Sequence, residues 1–422
     1  MPRQHADRMR GDGAGPGPRF LVFAYACEPD RGGESEAGWL WSRMLARLGE
    51  TWVITRENNR EVIEPFLEDL PERKNLHFIY TDLPQWARSW KRGLRGARLY
   101  YMLWQWAALR RALELRRRRH FDAVWHLTWA NAWLGSVGAL LPEPFIYGPV
   151  GGCVPMPWTL LSAVGVRGAL FEVRRSLARG AGRYLNPLAR VAWSRARLIL
   201  AQNGETLQWF PARHQAKSVV FSHAMVDDED NRERSARGGQ TVLYVGRLIP
   251  WKGLSLAIRA LALLPGWRLV IAGQGPDRDR LRRLARRLAV DDRVEFVGWV
   301  PRQQIRSLIM HADALLFPSL HDEGPFAVAE ALAGGLPVAC LDRGGPAVIG
   351  GRGVRPTTVR ETTLALAGTV RAIAGTNPPS SPSLSSQTRQ LVTLLQKRFP
   401  ELQIEDRAST QRRTSGRDVS MG

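Results

Sequence analysis

A chain of 422 residues with 44% hydrophobic content has material for two or three domains with buried cores, and it contains no run of about 18 apolar residues that would predict a spanning helix. Lys and Arg number 60 against 39 Asp and Glu, and the balance of +21 favours anionic partners: phosphates, lipid head groups or nucleic acid. Three widely spaced cysteines, Cys27, Cys153 and Cys340, offer neither a zinc spacing nor a disulfide framework, and a reducing cytoplasm suits them.

Residues 1–18 combine Gly, Pro and charge without a period and read as a disordered leader. From Arg19, short apolar runs at 20–27, 51–55, 76–80, 123–127, 145–147 and 196–201 alternate with helical spacing at 38–48, near 60–67 and over 88–119. This series defines an N-terminal domain, 19–225. A polar stretch, 226–240, reads as the linker to a second domain, 241–375, with apolar runs at 241–245, 268–272, 294–297, 314–317 and 337–341. Strands alternating with helices predict parallel, doubly wound sheets, an α/β fold. From 376 the composition turns to Ser, Pro and charge, so 376–422 reads as a low-complexity, weakly ordered tail with one helix at 387–398.

Within 86–119, Trp86, Trp90, Trp104 and Trp106 are interleaved with Arg88, Lys91, Arg92, Arg95, Arg98, Arg110 and Arg111, then Arg116 to Arg119. Leu99, Leu103, Trp106, Leu109 and Leu113 have helical spacing. Two readings stay open: a core-facing helix with a solvated basic side, or a basic amphipathic segment for an anionic membrane surface.

Two strand–turn–helix junctions carry the candidate chemistry. Gly246-Arg247-Leu248 follows the run 241–245, and Lys252-Gly253 precedes helical spacing at 254–264. The two cations bracket a helix start, where unpaired backbone N–H groups favour an anion. Asp322, Glu323 and Glu330 surround the turn after 314–317. Cations for a diphosphate and a carboxylate for a ribose diol are the elements of a nucleotide-sugar site. After the first strand, Gly32 and Gly33 can present N–H groups where a Cβ would clash, without the Gly-x-Gly-x-x-Gly spacing of a dinucleotide site. The run Asp227-Asp228-Glu229-Asp230 mimics an Asp-x-Asp metal site, but it opens a polar linker instead of following a strand, and no metal is expected there.

Taken in order, Gly246-Arg247-Leu248 with Lys252-Gly253, Gly273-Gln274-Gly275, Ala312-Asp313 with Pro318-Ser319, and Glu330-Ala331-Leu332-Ala333-Gly334-Gly335 closely resemble the family-4 retaining glycosyltransferases of GT-B fold, over roughly 19–355. The resemblance implies two Rossmann-like domains facing across a cleft. It implies transfer of a hexose-type sugar from a UDP- or GDP-linked donor to a lipid-linked or polysaccharide acceptor in bacterial polysaccharide biosynthesis, with neither cofactor nor metal. By the same resemblance Arg247 and Lys252 hold the diphosphate, Glu330 accepts from the ribose hydroxyls, and Gly32 and Gly33 approach the phosphates and sugar. Gly273 and Gly275 lie near the nucleoside, and His126 contacts the transferred sugar. Asp322 stands where the family's first acidic residue is Glu, one methylene longer, and Glu323 is the neighbouring alternative. Gly148 to Gly152 resembles a loop of members with lipid-linked acceptors.

Docking of 86–119 on the inner face of the plasma membrane would bring such an acceptor to the cleft. No nucleic-acid-binding motif accompanies the charge, so a nucleic-acid-binding protein is the weaker alternative. The other alternative is a catalytically impaired GT-B scaffold. The family's chain ends in a helix that crosses back to the first domain, whereas here the pattern fades after Arg355. On that reading the second domain is incomplete, the tail is dispensable and activity is weak. Should the tail replace the crossing helix, Leu391, Leu394, Leu395 and Phe399 would form its apolar face.

Overall fold

The computed structural model describes residues 17–85, 96–228 and 239–405. In the first half, β1 (Arg19–Ala24), β2 (Glu50–Thr55), β3 (Leu76–Tyr80), β4 (Ala123–Thr128), β5 (Phe145–Val150), β6 (Ala196–Ala201) and β7 (Ser218–Val220) form one sheet of order β3-β2-β1-β4-β5-β6-β7. In the second, β8 (Thr241–Val245), β9 (Arg268–Ala272), β10 (Val294–Gly298), β11 (Ala314–Phe317), β12 (Val338–Leu341) and β13 (Arg352–Val354) give the order β10-β9-β8-β11-β12-β13. All pairings are parallel. The apolar runs explain why: β4 and β5 are buried along their whole length, as strands covered by helices on both faces must be.

Strand order reverses between β1 and β4 in one sheet and between β8 and β11 in the other. At such points the connections leave on opposite faces and open a crevice beyond the strands' carboxyl ends. The helices Gly33–Leu48, Leu254–Ala262 and Phe326–Ala333 start at these crevices, directly after β1, β8 and β11. The helix Val359–Ile373 packs on β12 and on Leu254–Ala262, so the second half is closed by an element longer than the sequence suggested.

Two further helices, Leu161–Leu185 and Pro187–Arg195, have no counterpart in the sequence reading. Gly165, Gly168, Gly180 and Gly182 interrupt the first, which masks its period, and Gly165 is non-helical at φ 69°. Its start crosses to the second half: Met156, Leu160, Ala163 and Val164 join the core around β8 and β9.

The expectation of a weakly ordered tail from 376 is overturned as far as residue 405. The helix Leu384–Arg398 begins with a reciprocal capping box between Ser383 and Ser386, and Leu384, Leu391, Leu395, Phe399 and Ile404 are fully buried. They pack in the same core as Trp41 and Leu45 of the helix Gly33–Leu48 in the first half. The Ser/Pro composition supplies the extended approach and the cap; the periodic leucines supply the docking. Val226 donates its N–H to Pro382 O and accepts from Leu384 N, at 2.9 Å each, which stitches the returning chain to the start of the linker. Asp227 pairs with Arg43, and Asp228 accepts from Ser385 Oγ at 2.6 Å and lies 3.5 Å from Arg47, so the first two carboxylates of the metal-like run are used in this strap. The leader to residue 16, residues 86–95 of the basic segment, linker residues 229–238 and 406–422 lie outside the described residues.

One apolar cluster runs from Phe20, Val22 and Trp41 through Phe221 and Met225 to Leu315, Phe317, Val328 and Leu332, and on to Leu391 and Leu395. The core is therefore continuous from the first sheet to the second.

Candidate functional site

The two crevices face each other across a cleft of about 960 Å³. Arg247, Lys252, Gly246, Gly273, Asp322, Glu323 and Glu330 from the second half, and Gly32, Gly33 and Glu34 from the first, line it together. Gly275 is not among the lining residues; it lets the turn approach the chain of Leu248, whose carbonyl oxygen would lie 2.2 Å from an added Cβ.

The wall of the second half is made of charged side chains on short turns. Arg247 is exposed to the cleft and makes no ion pair among the described residues. Gly273, at φ 151°, brings its turn so close to the neighbouring one that a Cβ would sit 1.9 Å from Gly246 O. Lys252 Nζ pairs with the Asp322 carboxylate and lies 5.3 Å from the centre of the Phe317 ring. An ammonium has three donors, so this pairing leaves Lys252 able to bind an anion as well. Glu330, on the helix Phe326–Ala333, lies 3.4 Å from Arg302, which also contacts Asp30 at 3.0 Å and Glu36 at 3.4 Å. One guanidinium thus ties the predicted ribose ligand to both halves.

Glu323 does something other than the sequence suggested. Its Oε1 accepts from Gly152 N at 2.7 Å and Val154 N at 3.3 Å; its Oε2 accepts from Asn203 Nδ2 at 2.7 Å and Thr206 Oγ1 at 3.0 Å. Both oxygens are committed to the first half, so Glu323 is a fastening between the halves, and Asp322 is the acidic residue left facing Lys252. The Gly148 to Gly152 loop supplies one of these donors and lines the cleft through Gly151 and Gly152.

The wall of the first half combines glycine turns with side chains, among them Arg31, Arg98 and Arg175. Gly32 and Gly33 have φ 66° and 59°, with open space where a side chain would project. The helix Gly33–Leu48 begins here, so its first N–H groups face the cleft. Glu34 accepts from the Trp129 N–H. Although Glu34 is exposed to the open cleft, the protein crowded around its carboxyl desolvates it and pushes its pKa up to about 7, opposed by the Trp129 N–H and reinforced by the Glu323 charge. Trp129 itself sits at φ 53°, a strained conformation for a tryptophan, at the carboxyl end of β4.

His126 is corrected outright. It is fully buried inside β4, bonded through Nε2 to Tyr101 Oη at 2.8 Å and through Nδ1 to Ser136 Oγ at 2.7 Å, and stacked on Phe23. Burial drives its pKa down to about 3, so it is a neutral link in a packed network with no face toward the cleft. The residues that reach the cleft from this strand end are Trp129 and Asn131, three and five positions later. The rule that ligands gather beyond the strands' carboxyl ends could have found them; a search for a histidine could not. Trp299 and His223 also line the cleft unannounced. His223 is held by Gly324 O at 2.9 Å, and burial lowers its pKa to about 4.

Residues 226–364, which include the wall bearing Arg247, Lys252 and Glu330, match the family model described as glycosyl transferases group 1. Among curated proteins, the chain is 30% identical over 138 residues to the uncharacterized glycosyltransferase YqgM of Bacillus subtilis, covering 32% of this chain and 38% of that protein. It is 27% identical over 262 residues to the 2-deoxystreptamine glucosyltransferase of Streptomyces kanamyceticus, covering 57% and 65%. The chain thus spans less than two thirds of the length of these relatives. Among solved structures, Anabaena Alr3699/HepE in complex with UDP superposes with a TM-score of 0.54 at 16% identity, over 90% of this chain and 100% of that one. With two parallel doubly wound halves closing on a cleft, the chain has the GT-B fold, and its residues 226–364 are similar to the glycosyl transferases group 1.

Proposed function

We propose that the chain is a glycosyltransferase that binds a nucleotide sugar against the second half and an acceptor against the first. The observation that carries this reading is the exposed guanidinium of Arg247, without an ion pair among the described residues, beside Lys252 at the crevice between β8 and β11. A nucleoside diphosphate placed there meets two cations, which offset the charge that grows on the leaving diphosphate as the glycosidic bond breaks. Glu330 takes the ribose hydroxyls, and Asp322 faces the donor sugar. Similar proteins support this donor class: Alr3699/HepE was solved with UDP, and the Streptomyces kanamyceticus relative is a 2-deoxystreptamine glucosyltransferase.

Transfer proceeds with retention and without metal, a phosphate oxygen of the donor taking the acceptor proton, so the protein contributes positioning and charge. The donor is UDP- or GDP-linked. The acceptor is lipid-linked or a polysaccharide, reached from a cytoplasmic position on the membrane face. In support of that position, the helix Ala97–Arg116 buries Tyr100, Tyr101, Trp104 and Leu109 while leaving Leu99, Leu103, Trp106 and Leu113 exposed beside Arg110 and Arg111. No helix among the described residues is long and apolar enough to cross a membrane.

Thermal shift with UDP, GDP and their hexose conjugates tests the donor assignment. A ligand at about 100 times its Kd should stabilise the chain by about 2.7 kcal/mol, and Arg247→Ala should remove the shift. No shift with any of them would sink the reading.

A further inference from the structure

Beyond Gly165, the helix Leu161–Leu185 buries a charged cluster on one side and leaves a stripe of apolar residues exposed on the other. On its inner side Glu172 is fully buried, 2.6 Å from His321 Nε2 and 3.6 Å from Arg175. Arg175 donates to Val154 O at 2.9 Å, and Arg179 donates to Cys153 O at 3.3 Å. On its outer side Val166 is 87% exposed, Leu170 52%, Val173 41%, Leu177 68% and Tyr184 70%. Positions 166, 170, 173, 177 and 184 fall on one stripe of a helix of 3.6 residues per turn. A helix facing only water would place these two sets the other way round. Arg167 and Arg174, both exposed, flank the stripe, and the one acidic residue between 161 and 195 is the buried Glu172.

We infer that this stripe is a docking surface for an anionic lipid bilayer, separate from the helix Ala97–Arg116. An interface with apolar acyl chains below and phosphates above matches leucine and valine bordered by arginine. A second copy of this chain matches less well, because it would set Arg167 and Arg174 against their own copies with no carboxylate on the face. The inference does not rest on the donor reading, since none of the stripe residues lines the cleft.

Co-sedimentation of the full chain with phosphatidylcholine vesicles containing about one third phosphatidylglycerol tests it. Leu170→Glu with Leu177→Glu should lower partitioning about tenfold while leaving the melting temperature and any UDP-induced shift unchanged. Arg167→Gln with Arg174→Gln should remove the preference for these vesicles over pure phosphatidylcholine. Leu99→Glu with Leu103→Glu, run in parallel, isolates the other helix. Leu177→Glu alone replaces the double variant should that fail to fold. Partitioning equal to the parent in the Leu170 and Leu177 variants overturns the inference. So does a parent that is dimeric without vesicle binding and becomes monomeric on the same substitutions, which assigns the stripe to a second copy.

Discussion

The two walls of the cleft share a topology and differ in chemistry. In the second half the turns after β8 and β11 carry charged side chains: Arg247 open to the cleft, and Lys252 paired with Asp322. In the first half the corresponding turns carry glycines, a helix start and a strained tryptophan backbone, while the polar side chain at that strand end, His126, is sealed in the core. On the proposed function, the wall bearing Arg247 and Lys252 is the one that meets the donor diphosphate. The contrast holds only while something keeps the walls in register, and the helix Leu384–Arg398, the Glu323 carboxylate and the Arg302 guanidinium all do so.

The strap offers the largest test. Leu391→Ala with Leu395→Ala removes two fully buried side chains at about 2–5 kcal/mol each, and urea unfolding should show most of that loss. A change below about 1 kcal/mol would return 376–405 to the status of a dispensable tail. Next comes the charged wall: Arg247→Ala should weaken nucleoside diphosphate binding about 100-fold, about 2.7 kcal/mol, with stability intact. Calorimetry giving the same affinity for parent and variant would place the donor elsewhere. Smaller again is the fastening. Glu323→Ala strands four donors of the first half and should cost about 2 kcal/mol, with Glu323→Gln costing less because one acceptor oxygen remains. If both variants melt like the parent, Glu323 is free for the donor after all.

Much of the charged wall was legible because its residues sit in order on turns after strands, and a turn that presents a side chain constrains the residue type. The first wall was legible only in outline. Gly32 and Gly33 announce a special backbone, but Trp129 has no signature beyond its place after β4, and His126 misleads because polarity in a sequence does not say which face of a buried strand it occupies. The same limit explains Glu323. Beside Asp322 it reads as a second candidate ligand, and only the approach of Gly152, Val154, Asn203 and Thr206 from 117 to 171 positions away shows that its oxygens are taken. The strap was misread for a compositional reason: Ser and Pro dominate the approach, while Leu384, Leu391 and Leu395 dominate the energy.

The smallest effects concern pH and separate the walls once more. His126 and His223 are neutral in the folded chain, with pKa values lowered from 6.5 to about 3 and about 4. Unfolding lets them take up protons below 6.5, so the stability they contribute is complete above that value and is lost as pH falls toward 4. His126→Gln should flatten this acid limb in urea titrations; an unchanged slope would mean the imidazole already titrates in the folded state. Glu34 acts with the opposite sign. Its folded pKa, raised from 4.5 to about 7, makes the folded chain hold the proton more tightly, a contribution present below 4.5 and lost as pH rises to about 7. Glu34→Gln should remove that decline, and a decline that persists would assign it to another carboxyl.

Apolar packing passes unbroken from Phe20 and Trp41 through Phe221 to Phe317, Val328 and Leu395, so one face of each sheet is buried in a shared cluster, while the other face keeps a cluster of its own, around Trp104 and Phe145 in the first half and Leu256 and Ile271 in the second. Melting one half would expose the surface that the other buries in the shared cluster, and that cost couples the opening of the two halves. A scanning calorimeter should therefore record a single cooperative transition with matching calorimetric and van't Hoff enthalpies, although the backbone divides into two doubly wound sheets. In this chain the thermodynamic unit is larger than the topological one.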